Sequence, residues 1–128
     1  MKRVVVDCSV LAAIVFGEPA GAAWSRRLDG SAVFAPRLLQ YELQSVAWKK
    51  CRQHPTRASA IVQALSLALD PAQAITWRDP APGEVVLLAQ ATGLTAYDAS
   101  YLCLAAMTGA DLMTADDALA SALEPYTG

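Results

Sequence analysis

Histidine is nearly absent, with His54 alone, and the three cysteines, Cys8, Cys51 and Cys103, stand far apart with no Cys-x-x-Cys pair. Such a stock cannot furnish a zinc site of thiolates and imidazoles, and an odd, scattered set is not a disulfide framework. The cysteines read as small buried thiols in a reducing compartment. Charge is scarce as well: charged residues make up 17% of the 128, the net charge is −2 and the isoelectric point is near 5.2. A protein whose whole surface grips nucleic acid is excluded, so any polyanion must be met by a local basic patch or through bound cations. No apolar run approaches the roughly 18 residues of a membrane-spanning helix, and the amino terminus lacks the charged, apolar, small-residue pattern of a secretory signal. The sequence reads as cytoplasmic.

What is plentiful is apolar. The hydrophobic fraction is 55% and the mean hydropathy +0.31, enough for a real core and for an apolar surface left to a partner or a second copy. Residues 2–6 read as a strand and Ser9 to Phe16 as a short helix ending near Gly17. Glu18-Pro19 opens a second helix to about Leu28, closed by Asp29-Gly30, and Ala32 to Ala35 is a short strand. Pro36 starts a helix to about Arg52, and Pro55 starts another that ends before Pro71. Further expectations are a strand at Ile75 to Trp77, helices over Glu84 to Ala91 and Ala96 to Thr108, and a strand at Asp111 to Met113. A helix from about Ala115 to Leu123 and a terminal strand near Tyr126 complete the chain. Short strands separated by helices imply a mostly parallel sheet covered on both faces, with reactive groups at the carboxyl ends of its strands. No repeat or long linker suggests a second domain.

Four carboxylates have both a structural and a chemical reading, two of them, Asp7 and Asp116, beside strand ends. Asp7 ends the apolar run "VVVDCSV" and reads equally as a helix cap or as one ligand of a metal site; Ser9 could cap instead, or sit near a metal-bound water. Glu42 lies beside the stripe of Leu39, Leu43 and Val46, where an unpaired carboxylate is costly, although most helix glutamates are solvated. Asp98 follows Thr95 by three residues, a capping-box spacing, and Tyr97, Tyr101, Leu102 and Ala105 pack its helix. Thr114 and Asp117 match the same spacing, which leaves Asp116 free to point toward the strand ends. At about 4 Å and an effective dielectric near 20, two carboxylates repel by roughly 4 kcal/mol, so a cluster of them needs protons or cations. Oxygen ligands without histidine or cysteine favour Mg²⁺ or Mn²⁺, and the chemistry that follows is metal-assisted phosphodiester hydrolysis.

The stretches "VVVDCSVLAAIVFGEP", "APRLLQYELQSVAWK", "GLTAYDASYLCLA" and "LMTADDALA", in that order, resemble the PIN-domain family, most closely its virulence-associated toxin branch, usually called VapC. The resemblance runs from residue 3 to about residue 123. It implies a single three-layer α/β/α domain over residues 1–128 with a central, mostly parallel sheet. It also implies a Mg²⁺- or Mn²⁺-dependent endoribonuclease, the toxin of a toxin–antitoxin pair, acting on RNA, held inactive by a cognate antitoxin and assembled as a homodimer. Carried over by position, Asp7, Glu42, Asp98 and Asp116 form the metal-binding, catalytic acidic site, and Ser9 and Thr114 match the small hydroxyl residues that line it. Ser45 stands where the family often has Asn, Cys8 where Ala or Thr is commoner, and Asp117 is a candidate fifth acid.

Two rivals are weighed. A phosphoacceptor receiver domain needs paired acids after the first strand and a late lysine, whereas one acid stands there and no lysine follows Lys50. A catalytically silent PIN-like module that only binds protein or RNA remains the alternative. The stretch "KKCRQHPTR", residues 49–57, is either a solvated helix end or a phosphate-holding patch; Arg26 and Arg27 share those readings. Trp24, Trp48 and Trp77 either pack or stack bases. Around Ala20, Ala22, Ala23 and Trp24, small residues would let an antitoxin segment approach closely and insert an arginine among the acids.

Overall fold

The computed structural model describes the backbone of residues 1–127 and the side chains of residues 1–122. Strands β1 (Arg3–Val6), β2 (Ala32–Ala35), β3 (Ile75–Trp77) and β4 (Asp111–Met113) form one sheet in the order β3-β2-β1-β4. Every pairing is parallel, with Val5 opposite Phe34 on one side and Leu112 on the other. Val4, Val5 and Val6 are fully buried, because a central parallel strand is covered on both faces; this explains a continuous valine run instead of alternation.

The helices are α1 (Cys8–Val15), α2 (Gly21–Leu28), α3 (Leu38–Gln53), α4 (Ala58–Ala68), α5 (Pro82–Thr92), α6 (Ala96–Thr108) and α7 (Asp117–Thr127). From β1 through β2 to β3 the chain moves steadily toward one edge, so right-handed crossovers put α1 to α4 on one face. It then returns past β1 to β4, which puts α5 and α6 on the other. The packing agrees: α1 contacts α2, α3 and α4, while α6 contacts α5, α7, β1 and β4. The result is the expected three-layer α/β/α arrangement. Its core joins Leu39 and Leu43 of α3, Val10 of α1, Tyr101 and Leu104 of α6 and Leu119 of α7 to the strand valines.

β2, β3, β4 and α6 fall on the expected residues, and the departures have local causes. At the start of α2 a Cβ on Gly21 would lie 2.3 Å from the Ala13 carbonyl oxygen, so the helices touch backbone to backbone there. Residues 18–20 are spent on the turn that allows this, with Glu18 N donating to Ala13 O and Gly21 N to Glu18 O, both at 2.9 Å. Pro55 opens a single 3₁₀ turn, Pro55–Arg57, ahead of α4. The strand expected near Tyr126 does not form, since the backbone stays helical through Thr127; one aromatic after Pro125 is too short a β signal to outweigh the alanine- and leucine-rich run before it. Among the described residues no helix is long and apolar enough to cross a membrane.

One consequence of the strand order decides where chemistry can sit. The chain leaves β1 toward β2 on one side and reaches β4 on the other, so a crevice opens at the carboxyl ends of β1 and β4.

Candidate metal centre

Asp7 stands at that crevice, one residue past β1. The register pairs Val6 with Met113, and Asp7 N donates to Met113 O at 3.3 Å, so the next residues of the two strands, Asp7 and Thr114, meet side by side. The Thr114 hydroxyl donates to Asp7 Oδ2. Ser9 Oγ donates to Asp7 Oδ1 at 2.6 Å and Val10 N to the same oxygen at 3.2 Å. Asp7 is therefore the cap of α1, buried to 6% exposure, and three donors fix its carboxylate toward the crevice. Both hydroxyls also accept: Ser9 Oγ from Ala115 N and Thr114 Oγ1 from Asp116 N, each at 2.9 Å. The turn after β4 is thus tied to the turn after β1.

That tie changes the reading of the following acids. The Thr114 oxygen accepts from Asp116 N, not from the Asp117 N–H, so the expected Thr114–Asp117 box is not formed. Asp116 caps instead: its Oδ1 accepts from Leu119 N at 3.0 Å and its carbonyl from Ala120 N at 2.9 Å. Asp116 is not the free carboxylate the spacing suggested, and Asp117 is the exposed first residue of the helix.

Glu42 and Asp98 stand on helices of opposite layers, and the charge of Asp7 bears on both. Glu42, on α3, is half-buried, and Tyr101 of α6, 1% exposed, donates its hydroxyl to Glu42 Oε1. Asp98 lies in the first turn of α6, where Thr95 Oγ1 accepts from its backbone N–H at 3.2 Å. Burial pushes the Glu42 carboxyl above its ordinary range; the Tyr101 hydroxyl opposes this, and the charges of Asp98 and Asp7 add to it. Burial also raises Asp98, with Asp116 and Asp7 adding and Thr95 opposing. The charge of Asp7 thus bears on both Glu42 and Asp98, and that of Asp116 on Asp98. Tyr101 is the residue sequence reasoning took only for packing, although a buried tyrosine hydroxyl usually implies a partner.

The donor set fits a particular kind of ion. Among the described residues no three His, Cys, Asp or Glu side chains form a ready-made cage. Spread carboxylates of this sort suit a cation that keeps several waters and is held through one or two side chains, as Mg²⁺ is. Cys8 borders the acids, and burial and the charges of Glu42, Asp7 and Glu18 push its thiol up to about 12, so without a metal it is protonated at neutral pH. Cys103 is buried, as expected for a packing thiol, while Cys8 and Cys51 are only partly so.

Other candidates lie away from the crevice. His54 is exposed at the end of α3. Lys50 is bound to Glu18 at 3.0 Å, and Arg27 lies 4.5 Å from the centroid of Trp24. Trp24 and Trp77 pack against the core, whereas Trp48 is 57% exposed.

Comparison with known proteins gives a match to the family described as PIN domain over residues 4–123. Among solved structures, PAE2754 from Pyrobaculum aerophilum is similar, with a TM-score of 0.76 and 27% identity over 94% of this chain and 84% of that one. No curated protein matches.

Proposed function

The chain belongs to the PIN-domain family, whose members are typically nucleases, bind RNA and commonly use divalent metals, and on that premise we propose that it is a Mg²⁺- or Mn²⁺-dependent endoribonuclease, the toxin of a toxin–antitoxin pair. The observation that supports the reading is that the hydrogen-bonded Asp7 carboxylate at the end of β1 bears, by its charge, on both Glu42 of α3 and Asp98 of α6, with Asp116 adding to its effect on Asp98. Domains of this size have only about 5–15 kcal/mol of stability, so mutually repelling, partly buried acids are a feature that packing alone does not favour.

In this mechanism Asp7, Glu42, Asp98 and Asp116 would hold hydrated cations, some directly and the others through bound water. When bound, the cation supplies an activated water and charge against the oxyanions that form as the phosphodiester breaks. The chain contributes fixed geometry. Ser9, Thr114 and Val10 N–H hold Asp7, and Tyr101 holds Glu42, so these carboxylates need little rearrangement when charge develops. No side chain acts as nucleophile.

An antitoxin segment beside α2, where Ala22 and Ala23 are exposed, would place an arginine among the acids and neutralise them. A homodimer would cover the exposed Val86 and Leu87 of α5, at 53% and 67%. The deciding experiment incubates the purified protein with RNA, with and without Mg²⁺ or Mn²⁺, and repeats this with Asp98→Asn. Metal-dependent cleavage lost in the variant is expected; cleavage that survives the substitution rejects the site. Cleavage that persists when the neighbouring gene's product is added rejects the antitoxin role.

A further inference from the structure

The outer side of α3 carries aromatic surface that the fold leaves unused. Tyr41 is 68% exposed and Trp48 57%. Seven residues apart on a helix, they share a face. The Arg52 guanidinium lies 4.8 Å from the centroid of the Trp48 ring, and Trp48, Lys49, Arg52 and Gln53 line an open pocket of about 260 Å³. Lys49 and Arg52 meet no carboxylate among the described residues. Lys49 is also seven residues after Glu42, so it lies in line with that acid, about 10 Å further along the helix.

Resting on the nuclease reading above, we propose that this strip is a subsite for single-stranded RNA leaving the acidic crevice. A backbone phosphate sits on Lys49 and an unpaired base stacks on the Trp48–Arg52 platform. The distance from Glu42 to Lys49 spans about three stacked nucleotides, at 3.4 Å each. Stacking on an aromatic face tolerates any base, so the subsite grips and orients the strand without reading its sequence. It also answers how a chain of net charge −2 holds a polyanion: the positive charge is local and paired with an aromatic face. A duplex cannot use the platform, because its bases are stacked on one another.

The test measures binding of a short fluorescein-labelled oligouridylate by anisotropy, using the full chain carrying Asp98→Asn so that the strand stays intact. In that background Trp48→Ala should weaken single-strand binding about 5- to 10-fold or more and leave binding of a duplex of equal length unchanged. Trp48→Phe should restore most of the loss. Lys49→Gln should lower the slope of log affinity against log salt by about one. Arg52→Gln, which removes only an exposed guanidinium, should also weaken binding, and it serves if Trp48→Ala fails to fold. If the parent binds and both Trp48→Ala and Arg52→Gln bind equally well, the subsite is overturned while the nuclease reading stands; if the parent binds no RNA, both fall. A shift from dimer to monomer in Trp48→Ala with RNA affinity intact would make the strip a protein contact and overturn the proposal.

Discussion

Tyr101→Phe removes one oxygen atom from the centre of the molecule and tests whether the two helical layers are locked over the crevice by a hydrogen bond. The ring is 1% exposed, and phenylalanine keeps its packing, so the loss isolates the bond to Glu42. A hydrogen bond to a charged acceptor contributes about 1.5–3 kcal/mol, and water reaching the half-buried carboxylate replaces part of it, which leaves about 1–2 kcal/mol. In a chain of this length that is roughly 4–8 °C of melting temperature. The sign with pH is fixed. The Tyr101 hydroxyl lowers the Glu42 pKa, so it favours the ionised form, and its stabilising effect is present above that pKa and fades as Glu42 becomes protonated. Urea unfolding of both proteins in metal-free buffer should therefore show a larger difference at pH 7 than near pH 4. An unchanged midpoint at pH 7, or a difference that grows on acidification, would refute the bond and the fixed geometry inferred for Glu42.

Further outcomes follow from the same contacts. Thr114→Val frees Asp7 Oδ2 and the Asp116 N–H and should cost about 1–3 kcal/mol in urea unfolding, with metal affinity lowered in calorimetric titration; unchanged values would show that the strand-end tie is idle. Gly21→Ala places a Cβ against the Ala13 carbonyl and should cost about 1–3 kcal/mol by thermal melting while leaving RNA cleavage at low temperature intact. Glu42 and Asp98 both have raised folded pKa values, so the stability linked to them is full below the ordinary carboxylate range and lost as pH rises through the raised values. In chelator, melting scans of the wild type against Glu42→Gln should show the wild type losing stability relative to the variant as pH rises above the ordinary carboxylate range, and Mg²⁺ should narrow the gap. By the same repulsion Asp98→Asn in chelator should melt at or above the wild-type temperature; a large fall would mean that Asp98 serves the helix start and not an ion.

How much of this was legible in the sequence depends on how local each signal is. The valine run, the prolines before the helices and the glycines after them act over a few residues, so β1, β2, β3, β4 and α6 could be placed from the chain alone. The start of α2 could not, because it is set by a backbone contact between Gly21 and Ala13 that spacing does not encode. The terminal strand near Tyr126 failed for the opposite reason: a weak local β signal was overridden by the helix running into it.

The acids divide in the same way. Asp7 and Asp116 were marked by their places just after apolar strands, whereas Glu42 and Asp98, inside helices, were singled out as ligands only by the resemblance of four ordered motifs to the PIN-domain family. Tertiary structure decided what each one does locally. Asp7 turned out to be a helix cap as well as a candidate ligand, since capping depends on the φ and ψ of one residue and metal binding on what lies across the crevice. Asp116 caps α7, while Thr114 reaches 107 positions back to donate to Asp7 and accepts from Asp116 N. The Tyr101–Glu42 bond joins residues 59 apart. The sequence by itself determined most of the elements, whose causes lie within a few neighbouring residues; only the folded sheet, by setting β4 against β1, decided which donors hold which oxygen.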